Sequence, residues 1–158
     1  MREDDNHFMG ICLDESKKAL DEGNVPVGSI IVRAGEVVGI GRNLVNSTFD
    51  PTAHAEVVAI RDACRNLGSA DLSGAICYTA MEPCPMCAWA IVAAKIGQLV
   101  LGARHAALKR IDYGDYSIEA LLAMTKQRLD IVTGVRVPEC EGIRRAWAGF
   151  AASLQPPR

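Results

Sequence analysis

The 158 residues predict a three-layer α/β/α fold built on a mixed five-stranded sheet. Helical and strand periodicities alternate along the chain. The first two strand patterns are joined only by Ala34-Gly35, which requires antiparallel pairing. The later strand patterns are separated by helical stretches, which implies parallel pairing with helices covering both faces. With 49% hydrophobic and 23% charged residues, the composition is that of a globular chain, and the length suits one domain over residues 1–158.

Phe8, Cys12, Ala19 and Leu20 fall at helical spacing, and Gly23 is placed to stop that helix. Val25 to Arg33 reads as a strand, Ala34-Gly35 as a tight turn and Glu36 to Arg42 as the returning strand. Asn46 to Pro51 is rich in turn formers and reads as a loop. The second helix is expected from Thr52 or Ala53 through Val57, Ile60 and Cys64 to a glycine stop at Gly68. Ala75 to Ala80 is a short apolar strand. A third helix is expected from Pro83 or Cys84 to about Lys95, and Gln98 to Gly102 is the fourth strand. Beyond it the pattern predicts a loop over 104–115, a short helix over 117–126 and a strand over 129–137. A final amphipathic helix is expected from Glu139 to Ala152, ahead of Pro156-Pro157.

The acidic Met1–Asp5 start is followed by no apolar run, so no secretory signal is expected, nor is any stretch apolar enough to span a bilayer. Six scattered cysteines in such a chain favour free thiols or metal ligands, and a cytoplasmic location is expected. A formal net charge of −2 and a pI near 5.9 advertise no attraction to phosphate backbones or anionic membranes. The charge balance therefore predicts no membrane and no nucleic-acid partner.

Two stretches carry chemistry: Thr52-Ala53-His54-Ala55-Glu56 and Glu82-Pro83-Cys84-Pro85-Met86-Cys87. Cys84 and Cys87 stand three apart at a helix start, where both sulfurs can reach one ion and unpaired N–H groups favour thiolates. Pro83 and Pro85 suit a first turn, which needs no N–H partner. His54 and Glu56 point to different sides of a helix, so both reach one centre only if it lies off the helix end. Three ligands, His54, Cys84 and Cys87, would leave zinc a fourth position for water, the pattern of a catalytic site with one Zn²⁺ per subunit. Glu56 would then be a proton carrier and not a ligand. Taken alone, His-x-Glu is usually a solvated helix face, and Cys-x-x-Cys serves redox work or packing as readily as metal. The proline-flanked pair at one helix start with His-x-Glu at another favours the catalytic metal reading over the redox one, which needs neither the histidine nor the carboxylate.

These motifs resemble the zinc-dependent cytidine and deoxycytidylate deaminase superfamily, whose pattern is His-x-Glu followed by Pro-Cys-x-x-Cys. Val25-Pro26-Val27-Gly28, Gly41-Arg42-Asn43, Asp50 to Glu56 and Leu101 to Arg104 resemble the branch of guanine, cytosine and tRNA adenosine deaminases. The resemblance implies a cytidine deaminase-like fold, a homodimer and hydrolytic loss of a ring amino group as ammonia. It also implies zinc on His54, Cys84 and Cys87, proton transfer by Glu56 and a base contact by Asn43, which is otherwise a turn residue ending a strand.

Substrate choice falls on the remaining third of the chain. The last helix carries Arg144 and Arg145 but continues as Ala146-Trp147-Ala148-Gly149-Phe150, unlike the basic RNA grip of the tRNA enzymes. The expectation is therefore a small nucleobase or base analogue, such as cytosine, guanine or a related pyrimidine, purine or triazine, with a nucleoside as the next candidate. The alternative is a tRNA-specific adenosine deaminase making inosine. Tyr113 and Tyr116 are expected over the pocket or else in solvent, the resemblance to guanine deaminases places an acid near Asp112 or Asp115, and Asp115 is expected on a ring amine or N–H. Trp89 is expected to stack on a base or else to fill core or interface.

Overall fold

The structure, a computed structural model, describes residues 1–110 and 112–151. In chain order its elements are α1 (Asp5–Asp21), β1 (Gly28–Arg33), β2 (Glu36–Arg42), α2 (Val45–Thr48), α3 (Ala55–Leu67), β3 (Ala75–Met81), α4 (Pro85–Ala93), β4 (Gln98–Ala103), α5 (Ile118–Thr125), β5 (Asp130–Val132) and α6 (Val137–Ala146). The sheet order is β2-β1-β3-β4-β5, and β1 pairs antiparallel with both β2 and β3. The β3–β4 and β4–β5 pairs are parallel. This is the mixed three-layer α/β/α sheet the alternation predicts.

Side chains of a strand alternate between faces, and the two cores follow that alternation. Ile30, Val32, Tyr78 and Val100 face α1 and α6, packing with Phe8, Met9, Cys12 and Cys140. Ile31, Cys77, Leu99 and Leu101 face the other way, onto Ala59 and Ala63 of α3, Ile91 of α4 and Ile118 of α5. Gly23 and Gly68 take positive φ just past the ends of α1 and α3, the helix stops the sequence predicts.

The boundaries shift where local pattern competes with packing. The predicted loop over 46–51 contains the short helix α2. The strand expected over 129–137 shrinks to three residues that pair only with β4, the sheet edge. The last helix begins at Val137 and ends at Ala146; Ala152 and Pro156-Pro157 lie outside the described residues. Helices α3 and α4 begin at Ala55 and Pro85, so His54 and Cys84 are their N-caps with extended backbone, one residue outside the first turn. Pro83 precedes the helix altogether.

The placement of α3 depends on two glycines. A Cβ on Gly41 would lie 2.3 Å from the Ala55 carbonyl oxygen, and one on Gly39 would lie 2.4 Å from that of Ala59. Only glycine lets the helix backbone rest directly on β2 there. The start of α3, with His54 and Glu56, is thereby pinned to the sheet at one depth.

Candidate metal and nucleotide site

The two helix N-termini converge. His54 Nδ1 stands 3.5 Å from Cys84 Sγ and 3.5 Å from Cys87 Sγ, and the three ligand atoms lie within 4.8 Å of one another. Tetrahedral zinc with bonds of about 2.0–2.1 Å to nitrogen and about 2.3 Å to sulfur spaces an N–S ligand pair by about 3.6 Å. The donor set and its spacing fit one zinc ion. The ligand charges agree with this. Hydrogen bonding from Cys87, followed by contact with His54, holds the Cys84 thiol far down, to about 4. Cys87 is pushed up chiefly by the same Cys84 contact. Cys84 in turn pushes the His54 imidazole up.

Glu56, in the first turn of α3, is 4% exposed and accepts a hydrogen bond of 3.0 Å from Thr79 Oγ1 on β3. Burial is the main cause that pushes its carboxyl up. A carboxyl so placed beside the ligand cluster readily takes a proton and returns it.

His54, Glu56 and Cys84 form the floor of a cavity of about 500 Å³, with Cys87 beneath them against His54. Asn43, just past β2, lines it with its Oδ1 accepting from the Val45 N–H at 3.1 Å, so the turn role and the wall position coexist. Tyr113 lines it too, packed edge-on against His105 with centroids 5.1 Å apart. Trp89 does not line the cavity. Two residues on from Cys87, it sits on the far side of α4 and is 46% exposed, so it makes no stacking partner for a base in this pocket. Asp115 is exposed beyond the positive-φ Gly114 and is also absent from the wall. The acid on the wall is Asp112, paired with Arg110 through Nε at 3.2 Å and through Nη2.

The side-chain roles of Glu82, Arg110 and Trp147 on the wall escaped the sequence reading, whereas Tyr116 is expected from it beside Tyr113. Buried Glu82 accepts from the backbone N–H groups of His105 and Ile118, each at 3.0 Å, and pairs with Arg104 at 3.4 Å. It thereby ties down both ends of the 104–118 segment that covers the cavity. Tyr116 OH donates to the Pro83 carbonyl at 2.6 Å, fastening the same segment to the start of α4. Burial pushes the His105 imidazole down, and neither ring nitrogen has a partner among the described residues. Arg144 and Trp147 reach the same wall from the C-terminal segment. Only the nearness of Glu82 to the cysteine motif could have marked it in the sequence; Arg144 and Trp147 carried no such signal.

The model of the cytidine and deoxycytidylate deaminase zinc-binding region matches residues 2–103. A tRNA-specific adenosine deaminase of Aquifex aeolicus is 43% identical over 97 residues, 61% of this chain and 64% of that relative. The match thus spans under two thirds of that protein's length. A guanine deaminase of Bacillus subtilis is 43% identical over 127 residues, covering 80% of this chain and 81% of its own. A solved structure from work on A-to-I editing by tRNA:A34 deaminases at the wobble position is 34% identical, with a TM-score of 0.77. It covers 87% of this chain and 98% of its own. The tRNA deaminases among these matches overturn the expectation of a small nucleobase substrate with nucleic acid excluded. Net charge was the misleading premise: it averages over the whole surface, whereas Arg110 and Arg144 gather at the cavity. Among the described residues no helix is long and apolar enough to cross a membrane.

Proposed function

The chain belongs to the cytidine and deoxycytidylate deaminase zinc-binding family, and from that premise we propose that it deaminates adenosine in tRNA to inosine. The reaction adds water across the ring C–N bond that bears the amino group and expels ammonia. The observation that supports this substrate is the match to a tRNA:A34 deaminase along almost the whole of that chain.

His54, Cys84 and Cys87 would hold the zinc, which when bound would supply Lewis acidity toward a water near neutral pH. Glu56 would take a proton from the attacking water and deliver it to the ring nitrogen beside the reacting carbon, then take the second proton from the hydroxyl now on that carbon and pass it to the amine, which leaves as ammonia. Its burial and the Thr79 hydrogen bond fix where that proton is held. Asn43 lines the cavity, which supports its reading as a hydrogen-bond partner of the base, and Tyr113 and His105 on the same wall would help exclude bulk water. A cytoplasmic site of action suits a tRNA substrate. The exposed apolar face of Trp89 and Met86 on α4 offers a second copy of the chain a surface for dimerisation.

Unmodified tRNA transcripts and free bases, each incubated with zinc-loaded protein, test this reading. We expect inosine at one adenosine of the tRNA with an equivalent of ammonia. Ammonia from free bases with no inosine in any transcript would sink it.

A further inference from the structure

Arginine is among the residues least often fully buried without a partner. Arg144 on α6 is 2% exposed, yet its Nε and Nη1 have no hydrogen-bond partner among the described residues. The one carboxylate near it on the cavity wall, Asp112, is held by Arg110. The covering wall therefore carries two guanidinium groups against one acid. Burial, then the neighbouring Arg110, pushes the Arg144 guanidinium down to about 10, which leaves it charged at neutral pH.

Its surroundings orient it instead of neutralising it. The guanidinium carbon lies 4.9 Å from the Trp147 ring centroid and 5.9 Å from that of Phe150. Aromatic faces satisfy the flat side of a guanidinium but leave its edge N–H donors unused. A buried cation with free donors on a cavity wall is costly unless something anionic completes it. A planar fork suits an oxyanion with two adjacent oxygens, and in a nucleotide that group is phosphate.

We propose that Arg144, held by Trp147, is a phosphate subsite of the cavity, occupied by a phosphodiester flanking the target adenosine. The polymer in this statement rests on the tRNA reading; the phosphate does not. The subsite grips the backbone, while Asn43 and the zinc floor engage the base, so it separates nucleotide units of a nucleic acid from free bases.

The test uses zinc-loaded full-length protein carrying Trp89→Phe, which leaves Trp147 as the reporter of the two tryptophans. Inorganic phosphate, adenosine monophosphate and adenosine are titrated against Trp147 emission, with and without Arg144→Met. The phosphate-bearing ligands should give a saturable change, adenosine alone should not, and R144M should weaken the response about ten- to hundredfold. R144M removes an unpaired buried charge, so its melting temperature should hold or rise, the reverse of what loss of a structural arginine gives. An unchanged phosphate response in R144M, or none in the parent, overturns the subsite. Arg144→Lys, which keeps the charge but not the fork, should fall between the two.

A second arm measures binding of a tRNA anticodon stem-loop to the Glu56→Gln protein. R144M should raise its Kd about tenfold and lower the salt slope by roughly one phosphate contact. If stem-loop binding ignores Arg144, the phosphodiester assignment is wrong. If the parent neither binds nor deaminates tRNA, the tRNA reading falls, and the phosphate titration still decides the subsite.

Discussion

The floor and the cover of the cavity are built by opposite rules. The floor consists of His54, Glu56 and Cys84 with Cys87 beneath, all within three residues of a helix start, and the α3 start is set by backbone packing on the sheet. The cover consists of His105, Arg110, Asp112, Tyr113, Arg144 and Trp147, drawn from two segments outside the strands and held by side-chain contacts. The floor is stiff because moving it means moving a helix off a strand. The cover is adjustable because its side chains are held by scattered hydrogen bonds and ring contacts and not by a strand. Chemistry shared by a family belongs on the first kind of support, and substrate choice on the second.

The largest expected effect breaks the floor alone. Glu56→Gln keeps the volume and the Thr79 contact but cannot carry a proton. Turnover should fall by about 10³-fold or more, with zinc content and melting temperature close to the parent. Metal analysis beside a single-turnover assay checks it. Residual activity within tenfold of the parent would remove Glu56 from the proton path.

A smaller effect should come from loosening the cover without touching the floor. Glu82→Ala leaves the N–H groups of His105 and Ile118 and the Arg104 side chain without their shared carboxylate. A buried, multiply bonded acid removed this way costs about 3 kcal/mol of stability. We expect KM to rise about tenfold while kcat changes less and zinc stays at one per chain. Equal losses in kcat and zinc would mean that Glu82 supports the floor instead.

The same contrast explains what the sequence revealed. The sheet was legible because Ala34-Gly35, Gly23 and Gly68 punctuate it and the strand faces alternate. The floor was legible because its ligands sit at fixed spacing, Cys84 to Cys87 and His54 to Glu56, which local helix geometry turns into one site. The cover was not. Arg144 reaches the cavity from a helix distant in sequence from the zinc motifs, and nothing in Arg144-Arg145 says which of the two turns inward. Trp89 and Asp115 misled for the same reason. Proximity in sequence to a motif or a tyrosine does not give direction, and helix rotation or a glycine turn carried each to solvent.

The smallest expected effect lies behind the floor, on β3. Thr79 faces Glu56, while its neighbour Tyr78 faces α1, where its hydroxyl donates to Asp5 at 2.8 Å. Asp5 also accepts from the Arg2 backbone N–H at 2.6 Å and pairs with the Arg2 side chain at 3.2 Å. Burial alone would raise the Asp5 carboxyl, but the Arg2 and Tyr78 hydrogen bonds and the Arg2 charge outweigh it and leave it below the ordinary 3.8. A carboxyl held lower in the folded state than in the unfolded one stabilises fully above 3.8, and that contribution disappears as pH falls through its folded value. Because Arg2 is 47% exposed and screened by water, the contribution should be no more than about 1 kcal/mol. Denaturant melts of Asp5→Asn and the parent should therefore differ at pH 6 and converge toward pH 2, with the proposed deamination at neutral pH unaltered. A difference that persists to pH 2 would mean the tie is packing and not charge. Altered deamination at neutral pH would mean the back of β3 reaches Glu56 through Thr79, and the floor would be less rigid than its glycine contacts imply.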